Sequence, residues 1–294
     1  MNKLTLDALN KASAEQFVAA LGGIFEHSPW VAERVAAKRP FETVLGLLEA
    51  MTGAVNEAAR DEKATLLRAH PDLAGKAARA GTLTKDSAAE QGSAGLDQLS
   101  EREYDAFQRL NTDYRNKHEI PFIICVRRHT KSSLLKQFER RIDNKPEHEF
   151  ETALGEVFRI AALRLDQKIE QADLGLNGRL STHVLDNHGG QPAAGMALTL
   201  KELADHDAPR LLVSTQTNAD GRTGEPLISG RPVPAGHYEI LFSVADYYKA
   251  KRVPLAEPPF LDLVPIRFCV AEPEGHYHVP LLVTPWSYAT YRGS

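Results

Sequence analysis

Apolar positions in the first half of the chain recur with a helical period. Phe17, Leu21 and Ile24 form one stripe, and Ser13 and Gln16 stand before it at capping-box spacing. Ser100 and Glu103 repeat the device ahead of Tyr104, Phe107, Leu110 and Tyr114. Residues 149–169 read as one long final helix whose apolar face carries Phe150, Leu154, Val157 and Ala161, and the next step along that stripe is Arg164. A guanidinium should not be buried without a partner, so Arg164 either meets a carboxylate or an anionic ligand or snorkels at the rim of the core. Beyond residue 178 the period shortens. Strand-like runs at 180–185, 196–200, 211–217, 238–244, 266–270 and 279–284 are separated by turns such as Asn-His-Gly-Gly and Asn-Ala-Asp-Gly. The pattern predicts a multidomain α and β chain: an all-α domain over residues 1–168, a linker over 169–178 and a small antiparallel β-sandwich over 179–294.

Composition agrees with that division. Five of the 17 prolines precede residue 180 and twelve follow it, and 294 residues are ample for two cores. With 43% apolar residues, 25% charged residues and a net charge of -4, the chain has a globular balance without a basic block. Nucleic acid and membrane surfaces are therefore poor partners. The first 17 residues are too polar for a signal peptide and no apolar run reaches membrane length, so a cytoplasmic protein is expected. Cys125 and Cys269 lie in apolar runs of different halves and read as reduced core thiols.

Candidate chemistry in the second half centres on three features. His183 sits inside a strand-like run, Arg222 in a glycine-rich turn, and His276 and His278 form a His-x-His pair near the end. Singly they say little, because a strand histidine is usually a hydrogen-bonded core or surface residue and such an arginine is usually solvated. In combination, Ser-Thr-His-Val-Leu-Asp from Ser181, Asp-Gly-Arg ending at Arg222, Tyr-His-Val-Pro-Leu-Leu from Tyr277 and the terminal Tyr291, Arg292, Gly293 and Ser294 resemble 5-hydroxyisourate hydrolase, of the transthyretin-like family. The resemblance covers residues 179–294. It implies that His183, Arg222 and His278 are catalytic and that Tyr291 to Ser294 complete the pocket wall. Opening a cyclic amide needs a base for water, a donor for the oxyanion and a proton for the leaving nitrogen, which two imidazoles and a guanidinium can supply. Two alternatives stay open: a non-catalytic transthyretin-like binding module, and a metal-dependent amidohydrolase using His183, His276 and His278. Few carboxylates lie nearby and no HExxH helix exists, which weighs against a metal.

In the first half, His70 precedes Pro71 and is presented at a helix end, where a histidine commonly caps carbonyls. Glu90 follows Ser87 by three positions, by default a capping box. The segments 70–76, 87–96, 110–127 and 161–165 together resemble 2-oxo-4-hydroxy-4-carboxy-5-ureidoimidazoline (OHCU) decarboxylase across nearly all of the first 168 residues. The resemblance implies an all-helical decarboxylase without a cofactor. It places His70, Glu90 and Arg164 at catalytic positions, with Pro71, Ser87, Ile123, Ile124, Cys125 and Val126 lining the pocket. Arg164 would hold a polar edge of the substrate, Glu90 its ureido nitrogens, and His70 the proton near the departing carboxylate. One departure is visible: Glu119 and Ile120 stand where the family usually has an aromatic-glycine pair before Pro-Phe. The two resemblances together imply that the sandwich makes the small molecule that the helical part consumes. They also imply a homo-oligomer, dimer or tetramer.

Overall fold

The computed structural model describes residues 3–204 and 208–293. They form two compact units: residues up to 127 together with 134–176, and 128–133 together with 177 onward.

The first unit is helical. Among the described residues its α-helices are α1 (Leu6–Lys11), α2 (Ala14–Leu21), α3 (Trp30–Ala36), α4 (Val44–Asn56), α5 (Arg60–Arg68), α6 (Lys76–Arg79), α7 (Lys85–Ser93), α8 (Glu101–His118), α9 (Lys131–Ile142) and α10 (Pro146–Lys168). Both expected capping boxes form, Ser13 with Gln16 and Ser100 with Glu103. The Ser87/Glu90 pair is not one. Thr84 caps α7 instead, its hydroxyl accepting the Ser87 N–H, so Ser87 and Glu90 lie inside the helix with side chains available for other work. The last helix starts at Pro146 rather than 149, because proline's fixed φ and missing N–H suit the first turn. Phe17, Leu21, Leu47, Met51, Phe107, Phe138, Val157 and Leu165 are fully enclosed in one core.

Between α8 and α9 the chain has no regular secondary structure from Pro121 to Cys125, and every residue of that run is buried. Two side chains hold its backbone: Arg141 donates to the Ile123 carbonyl at 2.8 Å, and Glu156 accepts the Cys125 N–H at 2.8 Å. Arg141 is itself paired with Glu149, which also accepts from Tyr114 and from Asn144. Arg141 and Glu149 are 2% and 0% exposed, so each is the other's necessary counter-charge.

The second unit is a sandwich. Its strands are β1 (Gly178–Ser181), β2 (Val184–Asp186), β3 (Gln191–Pro192), β4 (Ala197–Leu203), β5 (Arg210–Gln216), β6 (Ile228–Arg231), β7 (Gly236–Ser243), β8 (Leu263–Val270), β9 (His276–His278), β10 (Leu281–Val283) and β11 (Tyr288–Ala289), with a helix, α11 (Val244–Ala250), after β7. One layer has the order β5-β4-β7-β8; the other consists of β6-β1-β9 and β11-β10-β2-β3. Pairing is antiparallel except for β1 with β9 and β2 with β10, which are parallel. The expected run 180–185 is two strands, interrupted at Thr182 and His183, and the facing interruption lies at Val279 and Pro280, where proline has no N–H to give. Val279 N–H to the Ser181 carbonyl and Leu281 N–H to the His183 carbonyl, both 2.9 Å, keep the register across the break. Leu180, Val184, Leu198, Leu200, Ile240, Phe242, Val264, Leu281 and Val283 fill the core between the layers.

Cys125 is buried as expected, whereas Cys269 is exposed. On β8 the alternation puts Val264, Ile266 and Val270 inward and Arg267 and Cys269 outward, with the Cys269 Sγ 3.1 Å from His237 Nδ1. No helix among the described residues is long and apolar enough to cross a membrane.

Candidate functional site

The end of α5, the bodies of α7 and α10 and the segment between α8 and α9 enclose a pocket in the helical unit, lined by His70, Pro71, Leu73, Ser87, Glu90, Gln91, Phe122, Ile123, Ile124, Val126, Ile160 and Arg164. Cys125 is not among these residues; its backbone N–H is given to Glu156.

His70 lies two residues past α5 and is 7% exposed. Its Nδ1 is 3.0 Å from the Leu66 carbonyl, and a carbonyl can only accept, so Nδ1 carries the proton and Nε2 offers a lone pair. Burial pushes its pKa down to about 4, against the pull of the Leu66 carbonyl and the Glu26 charge, so at neutral pH it is an uncharged acceptor.

Arg164 on α10 is 5% exposed, and each of its nitrogens is engaged. Nε and one terminal nitrogen clasp both Glu90 oxygens at 2.8 and 2.9 Å, and the other terminal nitrogen reaches Glu26 at 2.8 Å. Weaker contacts run to the Ser87 hydroxyl and the Gly23 and Ile24 carbonyls. Burial disfavours its charge, yet Glu90 and Glu26 outweigh that and raise its pKa. Arg164 thus lines the pocket while its N–H groups are committed to the two carboxylates.

Glu26 is the residue that the sequence pattern did not disclose. It follows Ile24 and Phe25 between α2 and α3, is 2% exposed, and accepts from the Thr84 and Ser87 hydroxyls at 2.8 and 3.0 Å. Burial works to raise its carboxyl pKa, but Arg164 and the two hydroxyls prevail and hold it below the usual carboxylate range. The available signal was an acid set directly behind two apolar residues of a core stripe.

In the sandwich, the interruption between β1 and β2 carries His183, whose Nδ1 is 2.5 Å from His278 Nε2 on β9. The two rings lie 4.8 Å apart between centroids and 19° from parallel. The turn bearing Arg222 returns against His183 as an isolated antiparallel bridge. Gly221 makes that return possible: its φ is +69°, and a Cβ there would strike the Val184 carbonyl. Burial and then Arg222 lower the His183 pKa. Burial, followed by His183, Arg222, His276 and Arg179, takes His278 down to about 4. Both imidazoles are consequently uncharged at neutral pH.

The C-terminal segment runs beside this pair. Gly293 donates its N–H to the His278 carbonyl at 2.9 Å, and a Cβ on it would lie 2.7 Å from the His278 ring. Arg292 sits over the Tyr277 ring, Tyr291 is 55% exposed, and Ser294 lies outside the described residues. Among the described residues no group of three or more His, Cys, Asp or Glu side chains is arranged to hold a metal ion.

Known proteins divide the chain in the same way. Residues 10–166 match the family model described as OHCU decarboxylase, and residues 180–293 match that of the HIUase/Transthyretin family. A 2-oxo-4-hydroxy-4-carboxy-5-ureidoimidazoline decarboxylase of Haloferax volcanii is 45% identical over 168 residues, which are 57% of this chain and 98% of that protein. A 5-hydroxyisourate hydrolase of Ralstonia nicotianae is 50% identical over 117 residues, 40% of this chain and 99% of that protein. The crystal structure of an (S)-allantoin synthase is similar over 99% of this chain and 100% of its own, with 37% identity and a TM-score of 0.52. The chain belongs to the OHCU decarboxylase family through its helical unit and to the HIUase/transthyretin family through its sandwich.

Proposed function

We propose that the chain performs two consecutive steps of urate breakdown: the sandwich hydrolyses 5-hydroxyisourate to OHCU, and the helical unit decarboxylates OHCU to S-allantoin. The observation that carries this is the meeting, in each family-matched unit, of imidazole, carboxylate or guanidinium groups far apart in sequence. His70, Glu90 and Arg164 share one pocket wall, and His183 and His278 touch.

In the helical site the unprotonated His70 Nε2 handles the proton, while Glu90, both oxygens fixed by Arg164, accepts N–H groups of a ureido substrate. The substrate's own imino and carbonyl groups take up the electrons left by carbon dioxide, so no cofactor is needed. In the sandwich, Arg222 and the imidazole pair serve the oxyanion and the proton transfers. Pro71, Ser87, Ile123, Ile124 and Val126 complete the helical pocket, and Tyr291, Arg292 and Gly293 are the wall of the other. Exposed Trp286, Tyr288 and Tyr291 support assembly as a homo-oligomer, and a cytoplasmic setting suits the chemistry.

The test is to generate 5-hydroxyisourate with urate oxidase, add the protein, and follow absorbance and circular dichroism together. Accelerated loss of the intermediate and a single allantoin enantiomer are expected. Decay at the spontaneous rate would refute the hydrolase, and racemic allantoin the decarboxylase.

A further inference from the structure

The touching imidazoles of the sandwich are the inner end of a longer hydrogen-bonded row. Parallel register sets Arg179, Leu180 and Ser181 of β1 opposite His276, Tyr277 and His278 of β9. Ser181 Oγ consequently lies 2.9 Å from His278 Nδ1 and 3.5 Å from His276 Nε2. His278 Nε2 then meets His183 Nδ1 at 2.5 Å. Of the four ring nitrogens on His183 and His278, three are engaged, and His183 Nε2 alone has no partner among the described residues.

The polarity of this row decides which histidine is the base. Two neutral imidazoles carry one ring proton each, so the direction of one hydrogen bond fixes the others. If Ser181 donates to His278, then His278 Nε2–H donates to His183 and the free His183 nitrogen carries a proton. If Ser181 accepts from His278 Nδ1–H, His278 Nε2 accepts from His183 Nδ1–H, and His183 Nε2 is a bare lone pair. In the second case the Ser181 hydroxyl keeps a proton to give, and the Nε2 of the exposed His276 ring, 3.5 Å away, is the acceptor within its reach.

We propose that Ser181, with His276 behind it, is a positioning residue that fixes the tautomers of the imidazole pair, so that His183 Nε2 is the general base and His278 the group that orients it. The proposal rests on the hydrolase reading above. His183 Nε2 takes a proton from water as the water oxygen bonds to the cyclic amide carbon. When the C–N bond breaks, the same proton passes to the leaving nitrogen, and the new carboxylic acid releases its remaining proton to solvent. The lone pair of His278 stabilises the transient His183 cation through Nδ1–H, the part that a carboxylate plays in a Ser-His-Asp arrangement.

The full chain is assayed with 5-hydroxyisourate made by urate oxidase, and ¹⁵N NMR of histidine-labelled protein reads the tautomers at pH 7. Wild type should show the His183 proton on Nδ1. Ser181→Ala should lose kcat by roughly 3- to 10-fold, the scale of one neutral hydrogen bond, with KM within about twofold. Ser181→Thr, which keeps the hydroxyl, should restore most of the rate. Ser181→Ala turning over at the parental kcat, or a wild-type His183 proton on Nε2, would overturn the proposal. Should Ser181→Ala fail to fold, the wild-type tautomer still decides. Failure of wild type to accelerate the loss of 5-hydroxyisourate would instead refute the hydrolase reading, and NMR would continue to test the row.

Discussion

Arg164 illustrates how a single side chain can be read one link at a time. Its place on the apolar stripe of the last helix demanded a counter-charge, and Glu90 is that partner; the second one, Glu26, was hidden because an isolated acid in a connecting segment has no periodicity to betray it. Glu26→Gln keeps the shape and removes the charge, so it should reduce decarboxylase kcat/KM by at least about tenfold and leave the hydrolase unchanged; parental values for both would deny Glu26 its part. Gly293→Ala should act in the opposite sense, damaging the hydrolase alone, because the added methyl meets the His278 ring. His70 makes a prediction about pH. Its pKa is about 4 folded against 6.5 for an ordinary histidine, so between those values the unfolded chain binds the extra proton and stability falls as pH falls. Its contribution is complete above about pH 6.5 and is lost towards pH 4, in total about 3 kcal/mol. Denaturant melts of wild type and His70→Gln across that window measure it, and parallel curves would show that His70 titrates normally.

At the level of elements, the pattern of apolar residues located the long helices and most strands, since capping boxes and stripes are local signals. What it missed depends on neighbours in space. Helix α11 follows β7 without a polar break, and its Tyr247 and Tyr248 look like strand residues until they are seen donating to the buried Asp186. The split between β1 and β2 is likewise visible only beside Pro280. Glu119 shows the local kind of surprise: it ends α8 with φ of 58°, the left-handed conformation natural to glycine, at the place where the chain departs from the aromatic-glycine pattern. Glu119→Gly should therefore stabilise the helical unit by up to about 1 kcal/mol, read as a shift of the denaturant midpoint. The brace behind the pocket wall carries a larger stake. Arg141→Met strands the Glu149 carboxylate in the core and should cost about 3–5 kcal/mol, most of it recovered by adding Glu149→Leu. A double variant no more stable than the single one would mean that the loss is due to packing.

For the whole molecule, the change from helical to strand period made two folding units legible, and the motifs told what each resembles. The composition of the two sites was legible only as far as the motifs reached: Glu26, Arg141 and Glu156 lie outside them, and Ser181, though inside one, meets His276 and His278 only through the pairing of β1 with β9. If the two units work independently, His70→Ala should lower decarboxylation of OHCU by roughly 10²–10⁴-fold while 5-hydroxyisourate still disappears at the parental rate, and His183→Ala should slow the loss of 5-hydroxyisourate while OHCU supplied directly is still decarboxylated at the parental rate. Loss of both activities in either variant would tie the sites together.

The cluster of Glu26, Glu90 and Arg164 sets two carboxylates against one guanidinium, with an uncharged His70 beside them. The helical pocket therefore holds one surplus negative charge before any guest arrives. A guest carrying its own carboxylate is repelled in the place where it has to sit, and the repulsion ends when carbon dioxide leaves as a neutral gas. Hydantoins and other neutral cyclic ureas should thus outcompete their carboxylated counterparts for this pocket, and raising the ionic strength should do little to narrow the gap because the charges are enclosed.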